Sequence, residues 1–78
     1  MGAHKPYNGH KNWTHWNVAL WLYSECFLYD MMCAAVRTAP TLDSAARLIH
    51  AMLEGQSTPD GARYTFTSIR AAIANWDS

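Results

Sequence analysis

Polar residues and turn formers dominate the first twelve positions, and from Trp13 the pattern becomes apolar with helical spacing. Trp13, Trp16, Leu20, Tyr23 and Phe27 follow alternating steps of three and four, which places them on one helix face. That stripe is the predicted inner face. Val18, Ala19, Trp21 and Leu22 fill the remaining sides, so the helix is expected to be central and surrounded. Asn12 or Thr14 suits its N-cap, because a side-chain oxygen can accept from an orphan backbone N–H. Ser24-Glu25 is read as a break or bend that caps a second helix, the alternative being one helix continuing to Thr38. Pro40 ends the segment, since proline pushes Ala39 out of the helical region.

The next helix has the clearest boundaries. Thr41 caps it, Asp43 suits the positive end of its dipole, and Leu42, Ala45, Ala46, Ile49 and Leu53 make an inner stripe. Asp43 with Arg47 and His50 with Glu54 are spaced four apart and are expected to pair on the outer face. Gly55 closes the helix where a left-handed residue is needed. A loop follows, with a Pro59-Asp60-Gly61 turn, and Tyr64-Thr65-Phe66 alternates as a brief extended segment. Thr67 is the expected cap of a last helix with Ile69, Ala72, Ile73 and Trp76 facing inward. The fold class is all-α: a compact bundle of three to four short helices over residues 13–78, with an extended N-terminal arm over residues 1–12.

Size sharpens this picture. A chain of 78 residues has room for one domain and buries only roughly 60% of its unfolded surface. Cys26 and Cys33 offer no internal cross-link if they share a helix, because seven residues separate them by ~10 Å, beyond the ~7 Å a disulfide allows. A reducing cytoplasm is then the natural compartment. The core must be supplemented by aromatic packing from the ten aromatic residues or by self-association, leaving monomer and homodimer both open. The start of the chain carries no signal-peptide pattern, and Pro6 stands where a myristoylation site wants Ser or Thr. Val18–Val36 is long enough to cross a bilayer, but Glu25 and Asp30 would each cost ~2.5–3.5 kcal/mol at its centre. No membrane role is therefore read.

Six bases balance six acids, which argues against a nucleic-acid tracker and against an acidic mimic of DNA. The distribution is uneven: residues 1–24 hold Lys5, Lys11, His4, His10 and His15 and no acid. No catalytic, cofactor or metal residue is assigned. The histidines and cysteines lack Cys-x-x-Cys and His-x-x-x-His spacing. Cys26 and Cys33 are expected to lie buried and inert among Phe27, Leu28, Met31 and Met32, and the carboxylates are scattered. Without a phosphate loop or cofactor motif, an enzyme is not expected.

Two surfaces are candidates for recognition. One groups Asp60, Arg63, Tyr64 and Arg70 around the Pro-Asp-Gly turn, Arg and Tyr being enriched among binding hot spots. On the alternative reading Tyr64 and Phe66 close the core. The other surface combines Lys5 and Lys11 of the arm with whichever tryptophan edge the bundle leaves uncovered.

The block Lys11-Asn12-Trp13-Thr14-His15-Trp16-Asn17-Val18-Ala19-Leu20-Trp21, together with Thr58-Pro59-Asp60-Gly61-Ala62-Arg63-Tyr64-Thr65-Phe66-Thr67-Ser68-Ile69-Arg70-Ala71-Ala72, resembles a group of short phage- and prophage-encoded proteins. The group has no assigned activity and no established functional residues, so the resemblance implies context only: a small phage protein acting in the host bacterial cytoplasm. Such proteins often bind and block a host component. The expected function is a non-enzymatic anti-defence protein of anti-CRISPR type, whose partner is a host CRISPR–Cas complex or nuclease. The alternatives are a small nucleic-acid-binding accessory protein, with an exposed tryptophan stacking on a base, and a structural, dimerising phage protein.

Overall fold

The computed structural model describes residues 12–77, which form four helices: α1 (Trp13–Ser24), α2 (Cys26–Thr38), α3 (Leu42–Met52) and α4 (Phe66–Asp77). Each helix packs on the next and α4 closes against α1, giving the all-α bundle that the periodicity predicts. Residues 1–11 of the arm, with Lys5, Lys11, His4 and His10, lie outside the described residues.

Short polar side chains set the boundaries. The Asn12 side chain accepts from the His15 N–H at 3.0 Å and starts α1. Glu25 ends that helix in extended backbone (φ −88, ψ 119), and its carboxylate accepts from the Leu28 N–H at 3.1 Å to start α2. One residue thus serves as both caps, which resolves the predicted break at Ser24-Glu25. Pro40 and the extended Ala39 end α2, and the Thr41 hydroxyl accepts from the Ser44 N–H at 3.0 Å to start α3.

The last helix begins earlier than the sequence suggests. Thr65 is its cap, not Thr67: the Ser68 N–H donates to Thr65 Oγ1 and the Thr65 N–H donates back to Ser68 Oγ, each at 3.1 Å. This reciprocal pair is a capping box with serine in the third position. Phe66 is therefore helical, and the short antiparallel bridge forms between Ser57 and Arg63 instead of running through residues 64–66.

The core differs from its predicted composition. Buried positions on α3 and α4 match the expected stripes, with Ala45, Ala46, Ile49 and Leu53 facing Ile69, Ala72 and Ile73. On α1 the buried face is Val18, Ala19 and Leu22 with Asn17, and not the Trp13–Trp16–Leu20–Tyr23–Phe27 stripe. Trp13 and Leu20 are each 38% exposed and Phe27 is 75% exposed, so α1 is not surrounded. The reason is composition: α1 has no Asp, Glu, Lys or Arg, so polarity does not mark its solvent side. Close approach then favours the small residues. Among the described residues the buried aromatic side chain is Tyr64, with Tyr23, Phe66 and Trp76 partly buried against the core.

Side-chain contacts tie α4 to the other helices. The Tyr23 hydroxyl donates to the Ala72 carbonyl at 2.6 Å, Trp76 meets Tyr29 edge-on at 6.1 Å, and Arg70 pairs with Asp43 of α3 at 2.6 Å. The last of these replaces the predicted Asp43–Arg47 pair. The cysteines are also placed differently. Cys26 opens α2 and is exposed, and Cys33, seven residues along the same helix, is half-buried.

Candidate functional site

The loop after α3 is built to return the chain against α1. Gly55, at φ 81, turns the backbone out of the helix end. The Gly61 N–H then donates to the Thr58 carbonyl at 2.8 Å, closing a turn over Pro59 and Asp60, with Gly61 itself at φ 100. The Thr58 N–H donates to the Ala62 carbonyl at 2.7 Å, and the Ala62 N–H donates to Thr58 Oγ1 at 3.0 Å. This small hairpin presents Asp60 at its tip.

Four side chains join the tip to α1. Asn17 Nδ2 donates to Asp60 Oδ2 at 2.9 Å, and Trp21 Nε1 donates to the same oxygen at 3.0 Å. Thr58 Oγ1 donates to Asn17 Oδ1 at 2.5 Å. Asn17 and Thr58 are buried, so each polar group finds its partner inside the protein, as buried polar groups must. Asp60 itself is exposed, and the bonds from Asn17 and then Trp21 hold its carboxyl below the ordinary carboxylate value. The chain around Asn17 and Trp21 and the chain around Thr58 and Asp60 therefore meet in one hydrogen-bonded cluster.

The predicted recognition residues separate on this frame. Asp60 is at the hairpin tip, engaged with α1, and Arg63 is exposed beside it. Tyr64 is only 5% exposed and belongs to the core, where burial first and the Glu25 charge second push its hydroxyl pKa up. It closes the bundle and presents no binding surface. Arg70 is half-exposed and turned to Asp43 on α3. Of the four, Asp60 and Arg63 lie at the turn, Tyr64 is buried and Arg70 pairs with Asp43, while Lys5 and Lys11 fall outside the described residues.

What the spacing missed is the bare side of α1. Trp13 and Leu20 are two turns apart on one face, with Trp16 half-buried alongside them and the Trp21–Asp60 contact on the flank. Phe27, past the bend, is the most exposed large hydrophobic among the described residues. The signal was present as the absence of charge along α1. A second apolar feature lies across the molecule, an open groove of about 440 Å³ between the end of α2 and the outer face of α3. Among the described residues no group of three His, Cys, Asp or Glu side chains is placed to hold a metal ion, and no helix is long and apolar enough to cross a membrane.

The sequence matches a family described as a family of unknown function, DUF7249, over residues 3–76, and the chain belongs to that family. No curated protein matches it, and no solved structure does.

Proposed function

We propose that this DUF7249 member is a non-catalytic binding protein that acts by covering a surface of a partner protein, with α1 and the Asp60 hairpin as its contact face. The observation that carries this reading is the uncharged α1, which leaves Trp13 and Leu20 exposed beside a hairpin-tip aspartate and Arg63. Apolar and aromatic anchors with a polar rim are the composition of an interaction surface. The hydrogen bonds from Asn17 and Trp21 to Asp60 hold that rim in place before binding, which lowers the ordering cost of association.

The partner class follows from the phage-protein resemblance. The chain is read as a phage-encoded anti-defence protein of anti-CRISPR type, working in the host bacterial cytoplasm against a CRISPR–Cas complex or nuclease. Balanced charge favours steric blocking over imitation of DNA. Expression in a bacterium whose CRISPR–Cas system restricts a challenge phage tests the reading. The expected result is recovery of plaque formation by at least about tenfold, lost in the Trp13→Glu, Leu20→Glu double variant, at a binding cost of over ~1.4 kcal/mol. No recovery against any CRISPR–Cas type assayed would overturn the anti-CRISPR assignment. Recovery that survives the double variant would overturn the α1 contact face.

A further inference from the structure

The groove between α2 and α3 has a chemistry of its own. Ala39 and Pro40 form one wall, where the chain leaves α2, and Leu48 and Ala51 form the other on the outer side of α3. Leu48 is 47% exposed although it faces this apolar space, and Met52, one turn further along α3, is also exposed. At about 440 Å³ the groove falls within the range of small recognition pockets. Its polar lining consists of Thr38, Ser44 and Arg47.

Arg47 decides what fits. Sequence spacing assigns it to Asp43, but Asp43 turns away to Arg70 at 2.6 Å. Among the described residues Arg47 has no hydrogen-bond or ion-pair partner. The hydroxyls of Thr38 and Ser44 carry no charge, and no acid lines the groove. Asp43, one turn before Arg47 on α3, is taken up by Arg70, and the next acid along this side, Glu54, is seven residues from Arg47 and roughly 10 Å away. An apolar trough with one uncompensated cation at its rim is complementary to an apolar side chain flanked by a carboxylate.

We infer that the α2–α3 groove is a docking site for an acidic, amphipathic segment of a partner protein, which inserts an apolar side chain between Pro40 and Leu48 and places a carboxylate on Arg47. This site is separate from the α1 face and does not depend on the function proposed above. A second copy of the chain is a poorer occupant, because the carboxylate beside its exposed α1 residues, Asp60, is already engaged by Asn17 and Trp21.

Amide-resolved NMR of the full chain tests the assignment, with two end-capped peptides as probes. One alternates leucine and phenylalanine with glutamate, and the other carries lysine in place of each glutamate. The glutamate peptide should shift the amides of Ala39, Arg47, Leu48 and Ala51 saturably, and the lysine peptide should bind at least about tenfold more weakly. Arg47→Glu should reverse that preference. Leu48→Asp should abolish both responses while the circular dichroism spectrum stays helical, since both residues are exposed and neither belongs to the core. Absence of saturable shifts overturns the proposal, as do shifts centred on α1 or equal responses to the two peptides.

Discussion

Asn17 is the residue on which the loop and α1 depend together. It donates to Asp60 and accepts from Thr58, and both bonds run between segments more than forty residues apart. Asn17→Ala removes them together and leaves the buried Thr58 hydroxyl without its acceptor, a loss of about 2 kcal/mol. Urea unfolding followed by tryptophan fluorescence measures this as a lower midpoint with unchanged slope. Asp60 adds a pH signature. Its carboxyl titrates below the ordinary value of 3.8 in the folded protein, so in that window the unfolded chain binds the proton more tightly. The stability it contributes is complete above about pH 4 and is lost as pH falls through the folded value. Asp60→Asn should flatten this part of the acid-unfolding curve; an unchanged curve would show that the carboxylate does not hold the hairpin.

At the scale of elements, boundaries were more legible than faces. Asn12, Glu25, Pro40, Thr41 and Gly55 act through local bonds or fixed dihedrals, so their effect is readable from sequence neighbours. Thr65 and Thr67 are both credible caps by composition, and Ser68 decides between them by bonding back to Thr65. The buried face of α1 was not legible. A helix with no charged residue carries no polar side to read, and the large aromatics were given the core that Val18, Ala19 and Leu22 occupy. The Arg70–Asp43 pair and the Asn17–Asp60 bond are tertiary, between residues 27 and 43 apart, and local spacing carries no trace of them. Glu25 offers the cleanest test at this scale. It ends one helix and starts the next, so Glu25→Ala should cost about 1 kcal/mol, at the middle of the range for a lost N-cap. Glu25→Asp or Glu25→Ser, which retain a capping oxygen, should recover most of that loss in thermal unfolding. If Ala and Ser behave alike, the α1–α2 junction is held by packing instead of by the cap.

For the molecule as a whole, stability rests on a few aliphatic side chains. Among the described residues six of the fourteen buried hydrophobic residues are alanines, which let the helices approach closely but remove little apolar surface each. Most of the burial therefore falls to Leu22, Met32, Ile49, Ile69 and Ile73. A domain of this size is stable by roughly 4–12 kcal/mol. Ile73, fully buried on α4 where that helix faces both α1 and α3, is the position where truncation should be felt most. Ile73→Ala is expected to cost about 2–5 kcal/mol through lost transfer energy and a residual cavity, lowering the thermal midpoint by at least about 10 °C. Leu48→Ala, on the exposed wall of the α2–α3 groove, should cost less than about 1 kcal/mol. The contrast separates residues retained for packing from those available for recognition. Equal losses at the two positions would mean that the groove is part of the packed core, and would remove it as a docking surface.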